Sequence, residues 1–147
     1  MAWTLFQRSV IKDWINSVEG GYVNNPHDPG GETKYGISKA SFPNLDIKNL
    51  TLDEAVNIYR NMYWDALLLD NFDFPTAFVI FDTAILCGVG WTGRILKSID
   101  VRNAIVMGVL SARIRYHLDD INSRYFLRGW MERVQLLMQK YLNLLSH

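Results

Sequence analysis

The residue types best suited to chemistry are gathered in one short stretch. It reads Glu19-Gly20-Gly21-Tyr22-Val23-Asn24-Asn25-Pro26-His27-Asp28-Pro29-Gly30-Gly31-Glu32-Thr33-Lys34-Tyr35-Gly36-Ile37. Glu19 falls at the C-terminal end of a predicted helix, where the negative end of the helix dipole disfavours an ionised carboxylate. A carboxyl that keeps its proton can act as a general acid. Gly20 and Gly21 allow a tight turn or a substrate strand to come close to it. Asp28 follows nine positions later and Thr33 five after that, in a loop rich enough in turn formers to fold back on the helix end. Glycoside hydrolysis commonly uses two carboxyl groups. One protonates the leaving oxygen, and the other handles water or the developing cation. Asp28 is the candidate second carboxyl, and Thr33 can hold a water. Asp28 before Pro-Gly-Gly is equally a natural turn former. Tyr22, Tyr35 and Trp64 are candidates to stack on sugar rings. Glu32 reads as solvent-facing. His27, His117 and His147 show no ligand spacing, so no metal site and no cofactor are expected.

The elements that must position this stretch are helical. Trp3, Phe6, Val10, Ile11, Trp14, Ile15 and Val18 recur at three- and four-residue spacing and predict an amphipathic helix over 3–18. Gly20-Gly21 ends it. The segment 20–36 reads as loop, with short strands around Tyr22-Val23 and Tyr35-Gly36-Ile37. Thr51-Leu52-Asp53-Glu54 is a capping box that opens a helix through Ala55, Val56, Ile58, Tyr59 and Met62. Pro75 opens another, carrying Phe78, Val79, Phe81, Asp82, Ile85 and Leu86. Further helices are predicted near 91–98, 103–117 and 124–145. The fold class is mainly α, helical with one irregular, short-β segment at the candidate active site.

The 147 residues suit one compact domain or two tightly packed subdomains. Cys87 is the sole cysteine, so no internal disulfide can form, which fits folding in a reducing compartment. The N-terminus lacks the basic-then-apolar pattern of a secretory signal, and no apolar run is long enough to span a bilayer. The expectation is a protein made soluble in the cytoplasm, without membrane insertion. Net charge is zero, which argues against broad nucleic-acid binding. The charge is uneven: residues 1–73 carry 6 Lys+Arg against 10 Asp+Glu, and residues 74–147 carry 9 against 5. Either the two parts attract each other, or the basic part touches an anionic polymer such as the cell wall.

At these residues the sequence resembles glycoside hydrolase family 108, N-acetylmuramidases of phage endolysin and secretion-associated type. The likeness rests on Glu19-Gly20-Gly21-Tyr22, Asp28-Pro29-Gly30-Gly31 with Thr33, and Tyr35-Gly36-Ile37. It continues through Leu50-Thr51, Glu54-Ala55, Ile58-Tyr59, Tyr63-Trp64 and Phe81-Asp82. It implies a lysozyme-like catalytic domain over 1–88, with Glu19 as the acid that cleaves the β-1,4 bond between N-acetylmuramic acid and N-acetylglucosamine. It also implies a helical, peptidoglycan-binding-like region over 89–147, where Arg113, Tyr116, Phe126, Gly129-Trp130 and Arg133 fit the family's final helices. Three features depart from the pattern. Asn25 stands where many members have Asp, which leaves Asp28 as the candidate second carboxyl. Leu86-Cys87-Gly88 stands where the family has Asn, a small residue and Gly. Ile99-Asp100-Val101-Arg102 runs almost directly into the next helix, where the family carries a longer segment. The implied partner is the peptidoglycan glycan strand, reached in the periplasm or wall through a holin or a secretion system. A lytic transglycosylase and a non-catalytic wall-binding protein are the alternative readings.

Overall fold

A computed structural model describes residues 2–99 and 105–147, which form two compact units, Met1–Asn61 and Met62–His147. The division falls within a π-helical turn, Arg60–Trp64. The reason is the next helix, Phe74–Cys87, which packs against the three helices that follow it and so belongs with them.

In the first unit, helix α1 spans Leu5–Glu19. Thr4 caps it: its hydroxyl accepts from the Gln7 N–H, and the Gln7 side chain accepts from the Thr4 N–H. Val10, Ile11, Trp14 and Ile15 form its buried face. Helix α2, Leu52–Tyr59, starts at the capping box expected from Thr51 and Glu54. It buries Ala55, Val56 and Tyr59. The polar edges of the two helices are tied by Arg8 and Lys12, which both pair with Asp53, and by Arg8 donating to Asn57. These ion pairs are exposed and screened by solvent, so they contribute little; the packed apolar faces do more.

Between α1 and α2 lies a three-stranded antiparallel sheet in the order β1 (Val23–Asn24), β2 (Glu32–Lys34), β3 (Ile37–Ser38). Val23 pairs with Thr33, and Thr33 with Ser38, so these three share one face. Tyr35-Gly36, expected as strand, is instead the two-residue turn joining β2 to β3. Both residues have positive φ, 51° and 77°. A two-residue hairpin loop takes this conformation because its twist matches that of the flanking strands.

Among the described residues the second unit holds four α-helices: α3 (Phe74–Cys87), α4 (Val89–Ser98), α5 (Ile105–Asp119) and α6 (Ser123–Leu144). Asp73 caps α3, with Pro75 in its first turn. Every residue of α3 from Thr76 to Ala84 is buried, as befits a helix surrounded by partners. The segment at Asp100-Val101-Arg102, where the sequence lacks the family's longer stretch, lies outside the described residues, as does the start of the helix predicted at 103.

The interior of this unit carries charge. Asp82, fully buried, accepts from Arg113 Nη1 at 2.7 Å and from Arg133 Nη2 at 2.8 Å. Burial opposes its charged form, but the Arg133 and Arg113 guanidiniums outweigh that and hold the carboxyl below the usual carboxylate range. Arg113 Nε donates to His117 Nε2 at 3.2 Å, and the imidazole stacks on Trp130. Burial, followed by the Arg113 charge, pushes His117 down to about 4. Arg113 and Arg133, grouped by resemblance with wall-binding helices, therefore point inward at Asp82. Among the described residues no helix is long and apolar enough to cross a membrane.

Candidate active site

Glu19 and Tyr35, both expected at the site, are placed by one local problem, which is how to end α1 and return the chain as a hairpin. Gly20 ends α1 with φ 74°, a conformation L side chains rarely adopt. Its carbonyl accepts from the Tyr35 N–H at 3.1 Å, so the hairpin turn is fastened to the helix end. That fastening brings Gly36 against Glu19. A Cβ on Gly36 would stand 2.7 Å from Glu19 Oε2 and would also collide with the Tyr59 hydroxyl. Only glycine fits there, for reasons of φ and of space together. Glu19 is half-buried at the end of α1, with the Gly36 turn and the Tyr59 hydroxyl close by.

Tyr59 is the residue the sequence reading left out of the site. It sits at the end of α2, 2% exposed, and its hydroxyl donates to the Tyr35 carbonyl at 2.8 Å. The Tyr35-Gly36 turn is thus held from both sides, by Gly20 through its N–H and by Tyr59 through its C=O. In the sequence Tyr59 carries only the signal of a core residue on an amphipathic helix.

Asp28 lies on the exposed loop between β1 and β2 and works as a turn residue. Its Oδ1 accepts from the Gly30 N–H at 2.8 Å, and its carbonyl accepts from the Gly31 N–H. Among the described residues, no protein group bonds its other oxygen. Thr33 is half-buried at the centre of β2. The structure places Glu19, Asp28, Thr33, Tyr22 and Tyr35 in one unit.

The aromatic candidates divide. Tyr22 is 37% exposed, and its hydroxyl donates to Glu32 Oε1 at 2.6 Å. That bond to a carboxylate raises the phenol above its ordinary value. Glu32, expected to face solvent freely, is engaged by Tyr22. Tyr35 is half-buried, with the Lys34 ammonium 5.6 Å from its ring centroid. Trp64 differs from the expectation. It is 2% exposed, its indole N–H donates to Asp70 Oδ1, and its ring packs against Phe74 and Phe81. With both faces taken up by the core of the second unit, Trp64 has none to offer a sugar. His27 sits in an exposed turn built on Asn25. Among the described residues no three His, Cys, Asp or Glu side chains converge on a point where a metal could sit.

A mainly α chain with one small three-stranded antiparallel sheet is consistent with a lysozyme-like fold. The chain is similar to a structure described as that of Brucella abortus SagA, with a TM-score of 0.78 at 24% identity, covering 95% of this chain and 96% of that one. No curated protein matches the sequence. The family model for glycosyl hydrolase 108 matches residues 12–88, more than half of the chain, and the protein belongs to that family of glycoside hydrolases.

Proposed function

We propose that the protein is an N-acetylmuramidase, hydrolysing the β-1,4 bond between N-acetylmuramic acid and N-acetylglucosamine of peptidoglycan with Glu19 as general acid. The observation that carries this is the placement of the Glu19 carboxyl at the helix end, against Gly36, in a chain of a glycoside hydrolase family. Glu19 protonates the glycosidic oxygen as its bond to the muramic C1 breaks. Water adds at C1 and gives up a proton to the second carboxylate. Asp28 fills that role with the oxygen its turn does not use, and Thr33 holds the water. Tyr22 and Tyr35 bear on the sugar rings. The enzyme acts on wall glycan outside the cytoplasm, and a holin or a secretion system gives it passage.

A second reading has one specific observation in its favour. Asp28 Oδ1 is committed to the Gly30 N–H, as a purely structural turn residue would be. If Asp28 does no chemistry, Glu19 alone suffices for a lytic transglycosylase, in which the muramic 6-hydroxyl takes the place of water. The test is digestion of purified peptidoglycan by wild type and Glu19→Gln, with fragments identified by mass. Reducing muramic ends from wild type alone are the expected result. Anhydro ends, lighter by one water, indicate the transglycosylase. Equal release by both proteins removes Glu19 from the mechanism, and no release on several wall types by folded protein leaves a binding role.

A further inference from the structure

We infer that Tyr59 is a positioning residue for Glu19, acting through the Tyr35-Gly36 turn; the inference rests on Glu19 being the acid. Three observations converge on it. The hydroxyl of Tyr59 is buried and donates to the Tyr35 carbonyl at 2.8 Å. The Tyr35 N–H donates in turn to Gly20, the residue following Glu19. A single Cβ added at Gly36 would meet both the Tyr59 hydroxyl and the Glu19 carboxyl, so both groups border the same small space over the turn.

The chain of contacts runs from α2 through the turn to the end of α1. The Tyr59 bond to the Tyr35 carbonyl and the Tyr35 bond to Gly20 together fix where the turn lies, and with it the space left to the Glu19 carboxyl. Two φ angles above zero make the turn a costly conformation to hold without such support, since Tyr35 is not a glycine. The clamp on its carbonyl is what keeps that conformation in place.

Steady-state kinetics on soluble peptidoglycan fragments test this in Tyr59→Phe, which keeps the ring and removes the hydroxyl. The expected result is a fall in kcat of about tenfold, the worth of one hydrogen bond, with KM within about twofold. Unchanged kcat with a lowered melting temperature overturns the inference and makes the hydroxyl a matter of stability alone. Gly36→Ala provides a second route, because its Cβ enters the space between the two groups; kcat is expected to drop about 10²-fold. Gly88→Ala controls for backbone strain, since Gly88 has φ 87° with open space around it. Equal kcat losses in both alanine variants also overturn the inference. Amide exchange supplies a readout independent of turnover. The Tyr35 amide should exchange about tenfold faster in Tyr59→Phe while those of Ala55 and Val56 hold. Unchanged exchange at Tyr35 disproves the clamp. Glu19→Gln measured alongside separates the two ideas. If it remains active, the acid assignment fails whatever Tyr59 does. If it is dead while Tyr59→Phe is fully active, Tyr59 alone is excluded.

Discussion

Two carboxylates, one in each unit, show how differently the same group can be housed. Glu19 ends a helix beside two glycines, and a backbone turn lies against it. Asp82 sits within a helix buried along most of its length and is gripped by two arginines. The arginines surrounding Asp82 compensate for its desolvation and lock it as an anion, so it holds structure and has no proton to lend. Glu19 is half-buried, with the Gly36 turn and the Tyr59 hydroxyl close by. The lesson is that burial alone does not mark a candidate acid: Asp82 is the more buried of the two, and its arginine partners hold it as an anion.

The sharpest way to break this comparison is to neutralise each carboxyl in turn. Glu19→Gln should lower kcat by about 10²–10⁴-fold with the melting temperature nearly unchanged. Asp82→Asn should do the reverse. It leaves one buried and one part-buried guanidinium without their anion, and chemical denaturation should show a loss of about 3–5 kcal/mol. If Asp82→Asn folds as well as wild type but is inactive, the distinction between the two sites collapses.

A subtler test lies at Asp28. Asparagine keeps the oxygen that accepts from Gly30 but removes the charge, so Asp28→Asn separates turn from chemistry. Turnover should fall by about 10²-fold or more while the fold is kept, if the second carboxylate is needed. A change in melting temperature without a change in turnover would assign Asp28 to the loop alone and favour the transglycosylase.

The smallest effect comes from His117. Its folded value is depressed to about 4 from an ordinary 6.5, first by burial and then by Arg113. Between those values the unfolded chain binds more protons than the folded one. Stability is therefore full above pH 6.5 and is lost as pH falls toward 4. Melting temperature measured across that window should decline, and His117→Gln should flatten the slope. A decline of the same size in the variant would point to other groups.

What the sequence revealed and what it hid follow from distance along the chain. The caps at Thr51 and Asp73-Pro75 join residues a turn apart, and so does the stop at Gly20. Such signals are local, and Thr51-Glu54 and Pro75 were readable as helix starts from their spacing alone. Glu19, Gly20 and Gly36 were readable as a group because they lie in one segment. The strand Glu32–Lys34 was missed because it has no apolar alternation; its pairing, not its composition, makes it a strand. Tyr59 meets Tyr35 across 24 positions, and Asp82 meets Arg113 and Arg133 across 31 and 51. No periodicity reports such pairs. Trp64 was named for its residue type alone; its burial against Phe74 and Phe81, further along the chain, has no signal in its own segment.

Tyr35 carries a consequence for anyone seeking a hardier enzyme. A residue other than glycine in the left-handed region costs roughly 1–2 kcal/mol, and Asn-Gly is the pair such turns favour. Tyr35→Asn would thus ease the backbone at the hinge of the hairpin and raise the temperature the protein withstands. The same change removes the ring proposed above to bear on a sugar. Under that proposal thermal robustness and grip on the glycan are set against each other at this one position, and a library confined to residue 35 would trace that trade directly.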